Sequence, residues 1–142
     1  MEQADWNLKE YISRHRVSQI ERAELIDEMI KSVSHVQSKL KCHGNIKLTN
    51  FLLTGQMNLR FTDLRPFQAS KSQDFADLYQ AIHEIFTESG EEPLPDIFTH
   101  PADSINSFFQ ENFKYLLYLY SKHRLMDKAE RLIGRPEFDP KF

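Results

Sequence analysis

The sequence predicts a mainly α-helical single domain interrupted by one small β-hairpin. Three observations predict it. Apolar residues recur three and four positions apart through several separate stretches, the period of a half-buried helix. Two short apolar runs, Phe51-Leu52-Leu53 and Leu59-Arg60-Phe61, flank the hairpin-like turn Thr54-Gly55-Gln56-Met57. Finally, 142 residues with 11 Phe and a single Cys suit one domain that buries roughly two-thirds of its unfolded surface without a disulfide framework.

The elements follow in order. Residues 5–16 read as a short helix, with Asp5 as its cap and Leu8, Tyr11 and Ile12 as its apolar stripe. Ser18-Gln19-Ile20-Glu21 has the form of a capping box, in which a serine and a glutamate three residues on satisfy each other's backbone donors. It opens a long helix to about residue 40, whose stripe is Ile26, Met29, Ile30, Val33, Val36 and Leu40. Residues 42–50 lose the helical period and read as a loop, the hairpin follows, and residues 63–71, with Pro66, read as a second loop. Ser70 or Ser72 caps a helix to about residue 88, lined by Phe75, Leu78, Ile82, Ile85 and Phe86 and stopped by Gly90. Three prolines make 91–102 irregular. A helix rich in Phe, Tyr and Leu covers 104–123, with Phe108, Phe109, Phe113, Leu116, Leu117 and Tyr120 as core, and a last helix over 125–133 ends at Gly134 and Pro136.

Composition narrows the function classes. Eighteen Lys and Arg stand against 21 Asp and Glu, a net charge of -3, which argues against a nucleic-acid-binding domain. The small basic clusters, Arg14-His15-Arg16 and those between Lys39 and Lys47, read as solvated faces. The most apolar stretch, 115–120, is far short of the roughly 20 residues of a membrane span. The acidic start is unlike a signal peptide, so a cytoplasmic protein with no membrane partner is expected. His83-Glu84 lacks a second His at Thr87, so the zinc-protease spacing fails. Cys42 reads as an inert thiol.

The segment with chemical content is His43-Gly44-Asn45-Ile46-Lys47-Leu48-Thr49-Asn50, followed by the hairpin and by Thr62-Asp63-Leu64-Arg65. It resembles the catalytic loop and metal-binding segment of eukaryotic protein kinases, whose pattern is His-Arg-Asp, an apolar residue, Lys, two variable residues and Asn, then a strand hairpin and Asp-Phe-Gly. His43, Lys47, Asn50 and Asp63 occupy matching places. The long helix before the loop is similar to the kinase helix that precedes the catalytic loop. The helix from Asp74 is similar to the central helix of the kinase C-terminal lobe, which begins with an Asp that bonds the catalytic-loop backbone. Residues 131–138 are similar to the family's closing segment. The short activation segment and this ending resemble one branch in particular, the kinase-like domains of ribonuclease L and of the stress sensor that pairs a kinase with a nuclease.

The resemblance implies a protein-kinase-like C-terminal lobe over residues 1–142, with leading helices (1–41), a catalytic-loop and metal-segment remnant (42–73) and a helical remainder (74–142). It also implies that the N-lobe is absent, since the residues before His43 carry no Gly-rich phosphate loop and no Val-Ala-Ile-Lys strand. Asn45 stands where the family has its catalytic Asp, and a neutral amide cannot accept the substrate hydroxyl proton. Lys47 becomes a remnant or loop-bracing charge. Asn50 and Asp63 match the metal-ligating pair, but without an N-lobe their expected role is structural, with Asn50 holding the loop through backbone bonds and Asp63 capping or pairing locally; metal binding is the alternative. Leu52 matches the floor of the adenine pocket. His43 is expected to pack beneath the metal segment, Asp74 to accept a bond from the loop backbone, and Arg124 to stand without the Glu that kinases place opposite it.

The expected function is a catalytically inactive kinase-like interaction module that binds and regulates a partner kinase or kinase-nuclease. No cofactor is expected; MgATP enters only under the alternative, a fragment of an active kinase. An unrelated helical scaffold is the third reading. The contact surface is expected at Phe51, Leu52, Leu59, Leu64 and Phe67, left open for a partner kinase or a second copy unless the first helix, with Trp6, Leu8 and Tyr11, folds over it.

Overall fold

The computed structural model describes residues 6–39, 44–54, 59–61, 70–89, 95–98 and 105–136. The order is β1 (Trp6–Asn7), α1 (Leu8–Arg14), α2 (Gln19–Lys39), a 3-10 turn (Leu48–Asn50), β2 (Phe51–Leu53), β3 (Leu59–Phe61), α3 (Lys71–Ser89), a second 3-10 turn (Asp96–Phe98), α4 (Ile105–Lys122) and α5 (Met126–Ile133). It is mainly helical, with one small antiparallel sheet.

The start of the chain departs from expectation. The first helix begins at Leu8 and its cap is Asn7, whose side-chain oxygen accepts the backbone N–H of Glu10 at 2.8 Å. Asp5 lies outside the described residues. Trp6 and Asn7 instead form a strand, and the expected hairpin is a three-stranded sheet in the order β1-β2-β3. Trp6 pairs with Leu53 and Asn7 with Leu52, while Phe51, Leu52 and Leu53 pair with Phe61, Arg60 and Leu59 on the other side. A central apolar strand left with one open edge would expose a row of unpaired backbone groups, and β1 closes that edge. Along β2 the side chains alternate: Phe51 and Leu53 are buried and Leu52 is half-buried.

The long helix forms as its sequence dictates. Ser18 Oγ accepts the Glu21 N–H at 3.1 Å, and Ile26, Met29, Ile30 and Val33 face the core. Val36 is half-buried, and Leu40 lies outside the described residues. Its main partner is α4, which buries Phe108, Phe109, Phe113, Leu116 and Tyr120, with Leu117 half-buried. Buried Asn112 of α4 donates to the Ala23 carbonyl of α2 at 3.1 Å. Ser70, not Ser72, caps α3 by accepting the Gln73 N–H at 3.2 Å, and Leu78, Ile82, Ile85 and Phe86 form its inner face. Phe98 closes the aromatic cluster, edge-on to Tyr115 at 5.9 Å and tilted to Phe86 at 6.1 Å.

The turn from α4 to α5 shows what a sequence pattern misses. Arg124 sits at φ 58° and is exposed. Its N–H donates to Ser121 O and that of Leu125 to Tyr120 O at 2.7 Å. These two bonds are the helix-ending motif that usually places glycine at the left-handed position. The position of Arg124 is thus set by backbone geometry.

A buried ion pair ties α2 to the residues after α5. Arg135 Nη1 meets Asp27 Oδ2 at 2.7 Å, and the guanidinium lies 4.8 Å from the Phe113 ring centre. The second oxygen of Asp27 is buried with no hydrogen-bond partner among the described residues. Burial raises the Asp27 pKa above its ordinary 3.8, and the opposing pull of Arg135 does not cancel it. Above 3.8 and below the raised value, the folded chain holds a proton that the unfolded chain releases, so stability falls as pH rises through that window.

Two predictions follow from these contacts. Leu8→Ala empties a fully buried site beneath β2 and should cost about 2–5 kcal/mol, read from urea unfolding at neutral pH. Asp27→Asn removes the charge that burial disfavours. Its melting temperature, relative to that of the parent chain, should climb as pH rises from below 3.8 to neutral; a relative fall would mean that the Arg135 pair outweighs desolvation.

A candidate functional site at the Asp74-braced loop

Residues 44–50 are held from both ends. Gly44 opens the segment at φ 85°, a left-handed conformation that suits glycine. Its N–H donates to Asp74 Oδ1 at 3.0 Å. Asp74 lies in the first turn of α3, where a carboxylate complements the helix dipole, and it is 0 % exposed. Its other oxygen accepts Gln37 Nε2 of α2 at 3.0 Å. One side chain therefore fastens the loop, the long helix and the central helix together. At the far end, the Asn50 side-chain amide donates to the Asn45 carbonyl at 2.8 Å, and the Asn50 N–H donates to Lys47 O at 2.9 Å. Between them Ile46 and Leu48 are buried, while Lys47 and Thr49 point to solvent.

Sequence reasoning missed Gln37. The signal was present: a polar amide four residues after Val33 and three before Leu40, on a stripe otherwise apolar.

The other expected site residues separate into groups. Asn45 is half-buried, and Lys47 is exposed. Leu52 is half-buried on the sheet face that also carries Asn7 and Arg60. His43, Cys42, Asp63, Leu64 and Phe67 lie outside the described residues.

The expected open patch requires a correction. Phe51 is 0 % exposed, because β1 and α1 pack against β2; only Leu52 and Leu59 of the described patch residues are half-buried. The chain's own first strand and helix take the place reserved for a partner at Phe51. Trp6 and Tyr11 remain half-buried at the surface beside α1. His15 stacks on Tyr11 at 4.2 Å and meets Trp6 edge-on at 5.4 Å, and Arg14 lies 5.3 Å from the Trp6 ring centre.

A divalent ion bound through hard oxygen ligands needs about six or more of them, some from carboxylates. Asn50 uses its amide N–H to hold the loop, and no group of three His, Cys, Asp or Glu suited to a metal exists among the described residues. Asp63, the other residue at a metal-ligand position, lies outside the described residues. No helix among the described residues is long and apolar enough to cross a membrane. No match to the chain is found among protein-family profiles, curated proteins or solved structures.

Asp74→Ala should leave the Gly44 N–H and the Gln37 amide without their acceptor, at a cost of about 1–3 kcal/mol. Hydrogen exchange at the 44–50 backbone should accelerate in this variant while exchange within α4 stays slow. Equal acceleration in both segments would show that Asp74 supports the whole core and not the loop.

Proposed function

We propose that the chain is a catalytically inactive, protein-kinase-like interaction module that binds and regulates a partner kinase or kinase-nuclease. The observation that carries this reading is the bond from the Gly44 N–H to Asp74 Oδ1. The kinase resemblance calls for a central helix that begins with an Asp bonded to the catalytic-loop backbone, and a buried Asp at that place makes that bond. The element order supports the same reading: long helix, braced loop, strand pair, buried helix.

Inactivity rests on Asn45. General-base help is worth on the order of 10² to 10⁴ in rate, and an uncharged amide at the base position supplies none. An interaction role is supported by the surface. Tyr118, Met126 and Ile133 are each more than half exposed. Met126 and Ile133 stand seven residues apart, on one stripe of α5, and such apolar exposure is typical of contact surfaces when it is contiguous.

Purified chain incubated with MgATP and a generic protein substrate should give no phosphorylation above a protein-free blank, and Asn45→Asp should not restore it. Biolayer interferometry against a panel of purified kinase and kinase-nuclease domains should give at least one partner with a Kd on the order of 1–10 μM, weakened by Met126→Asp with Ile133→Asp. Phosphotransfer that Asp63→Ala abolishes would favour an enzyme fragment instead. Silence across the whole panel would remove the regulatory role.

A further inference from the structure

We propose that the groove between the C-terminal half of α2, strand β3 and α4 is a docking site for an acidic peptide segment that carries an apolar side chain. This site shares α2 with the Asp74 brace but uses other side chains, and it does not depend on the kinase-like reading. The groove is open to solvent and offers about 680 Å3, within the volume range of ligand sites. Its apolar lining is Val36, Leu59 and Phe109, and its polar lining carries Lys31, His35 and Arg60, with three serines of α2 between them.

Charge identifies the occupant. No acidic residue lines the groove among the described residues. Arg60 and His35 have no ion-pair partner among those residues, and Lys31 meets only the partly exposed Glu28 at 3.3 Å. The chain as a whole is net negative, so this positive lining is a local feature. The acids of α2 gather at its other end. There Glu21, Glu24, Asp27 and Glu28 line a second groove, in which Lys128 reaches Glu24 at 3.2 Å and Arg135 reaches Asp27. At that end Lys128 and Arg135 are matched by acids of α2, while at the C-terminal end Lys31 has Glu28 and Arg60 has no acidic partner among the described residues. A carboxylate-bearing segment supplies the missing partners, while an apolar side chain covers Val36, Leu59 and Phe109. A nucleic acid would supply negative charge as well, but a net-acidic chain is a poor match for a polyanion.

A randomised twelve-residue peptide library displayed on phage, selected on the full chain, tests the assignment. Enriched peptides should be net negative and carry at least one large apolar residue. Synthetic copies should bind at least ten-fold more weakly to Arg60→Glu and to His35→Glu, and more weakly as salt rises. Arg131→Glu, in the other groove, should bind them as the parent does. Both charge reversals fall on exposed side chains, and unchanged circular dichroism and melting verify their folds. No enrichment, enrichment of basic or neutral peptides, binding indifferent to both reversals, or stronger binding of a single-stranded RNA oligomer would each overturn the proposal.

Discussion

A carboxylate sealed from solvent needs donors for both of its oxygens, and at Asp74 each oxygen has at least one. The Gly44 N–H and the Gln37 amide come from a loop 30 residues away and a helix 37 residues away. The first turn of α3, the end of α2 and the start of the 44–50 segment are therefore fixed relative to one another by a single side chain. Once Gly44 is held, Ile46 and Leu48 turn inward, and Asn50 closes the segment on the Asn45 carbonyl immediately before β2 enters the sheet. The position of the sheet against the helices follows from that bracing.

The sheet's other neighbour is the first strand. Pairing of Trp6 and Asn7 with Leu53 and Leu52 makes β2 a central strand, and the chain then turns into α1, which buries Leu8 and Ile12. Phe51 is covered as a consequence. A surface that would have been apolar and open at that residue is core; among the described residues the large exposed apolar side chains lie on α4 and α5. These are Tyr118 of α4 and Met126 and Ile133 of α5, each left more than half exposed.

Helix α2 carries a gradient of charge. Its N-terminal half carries four acids and the buried Arg22, and its C-terminal half Lys31, His35 and Lys39, a net arrangement that complements the helix dipole. The two halves meet different surroundings. The acids face α5, where Lys128 and Arg135 answer them, and Asp27 is drawn deep enough that burial outweighs its partner. The bases face β3 and Phe109, which bring one further cation and no acid. A pattern that begins as local helix electrostatics becomes, through packing, one groove where acids and bases meet and one lined, among the described residues, by bases and no acid.

The sequence by itself determined what depends on neighbours a few residues apart. The serine caps at Ser18 and Ser70, the apolar stripes of α2, α3 and α4 and the strand pair around Thr54 are all short-range patterns, and each is an element of the structure; the glutamate half of the Ser18 box is not, since Glu21 accepts the Tyr11 hydroxyl instead. An aspartate at the head of α3 that bonds the loop was legible too, through its resemblance to a known arrangement. Tertiary structure alone decided the rest. Two residues, Trp6 and Asn7, are too few to show a strand period, and they become a strand because β2 offers an edge. Gln37 is an ordinary polar residue until Asp74 arrives beside it from α3. Arg124 adopts a left-handed turn that its sequence does not favour, because α5 must fold back against α4. Whether a groove is neutral or positive depends on which chain segments approach the same helix from far along the sequence, and no local pattern records that.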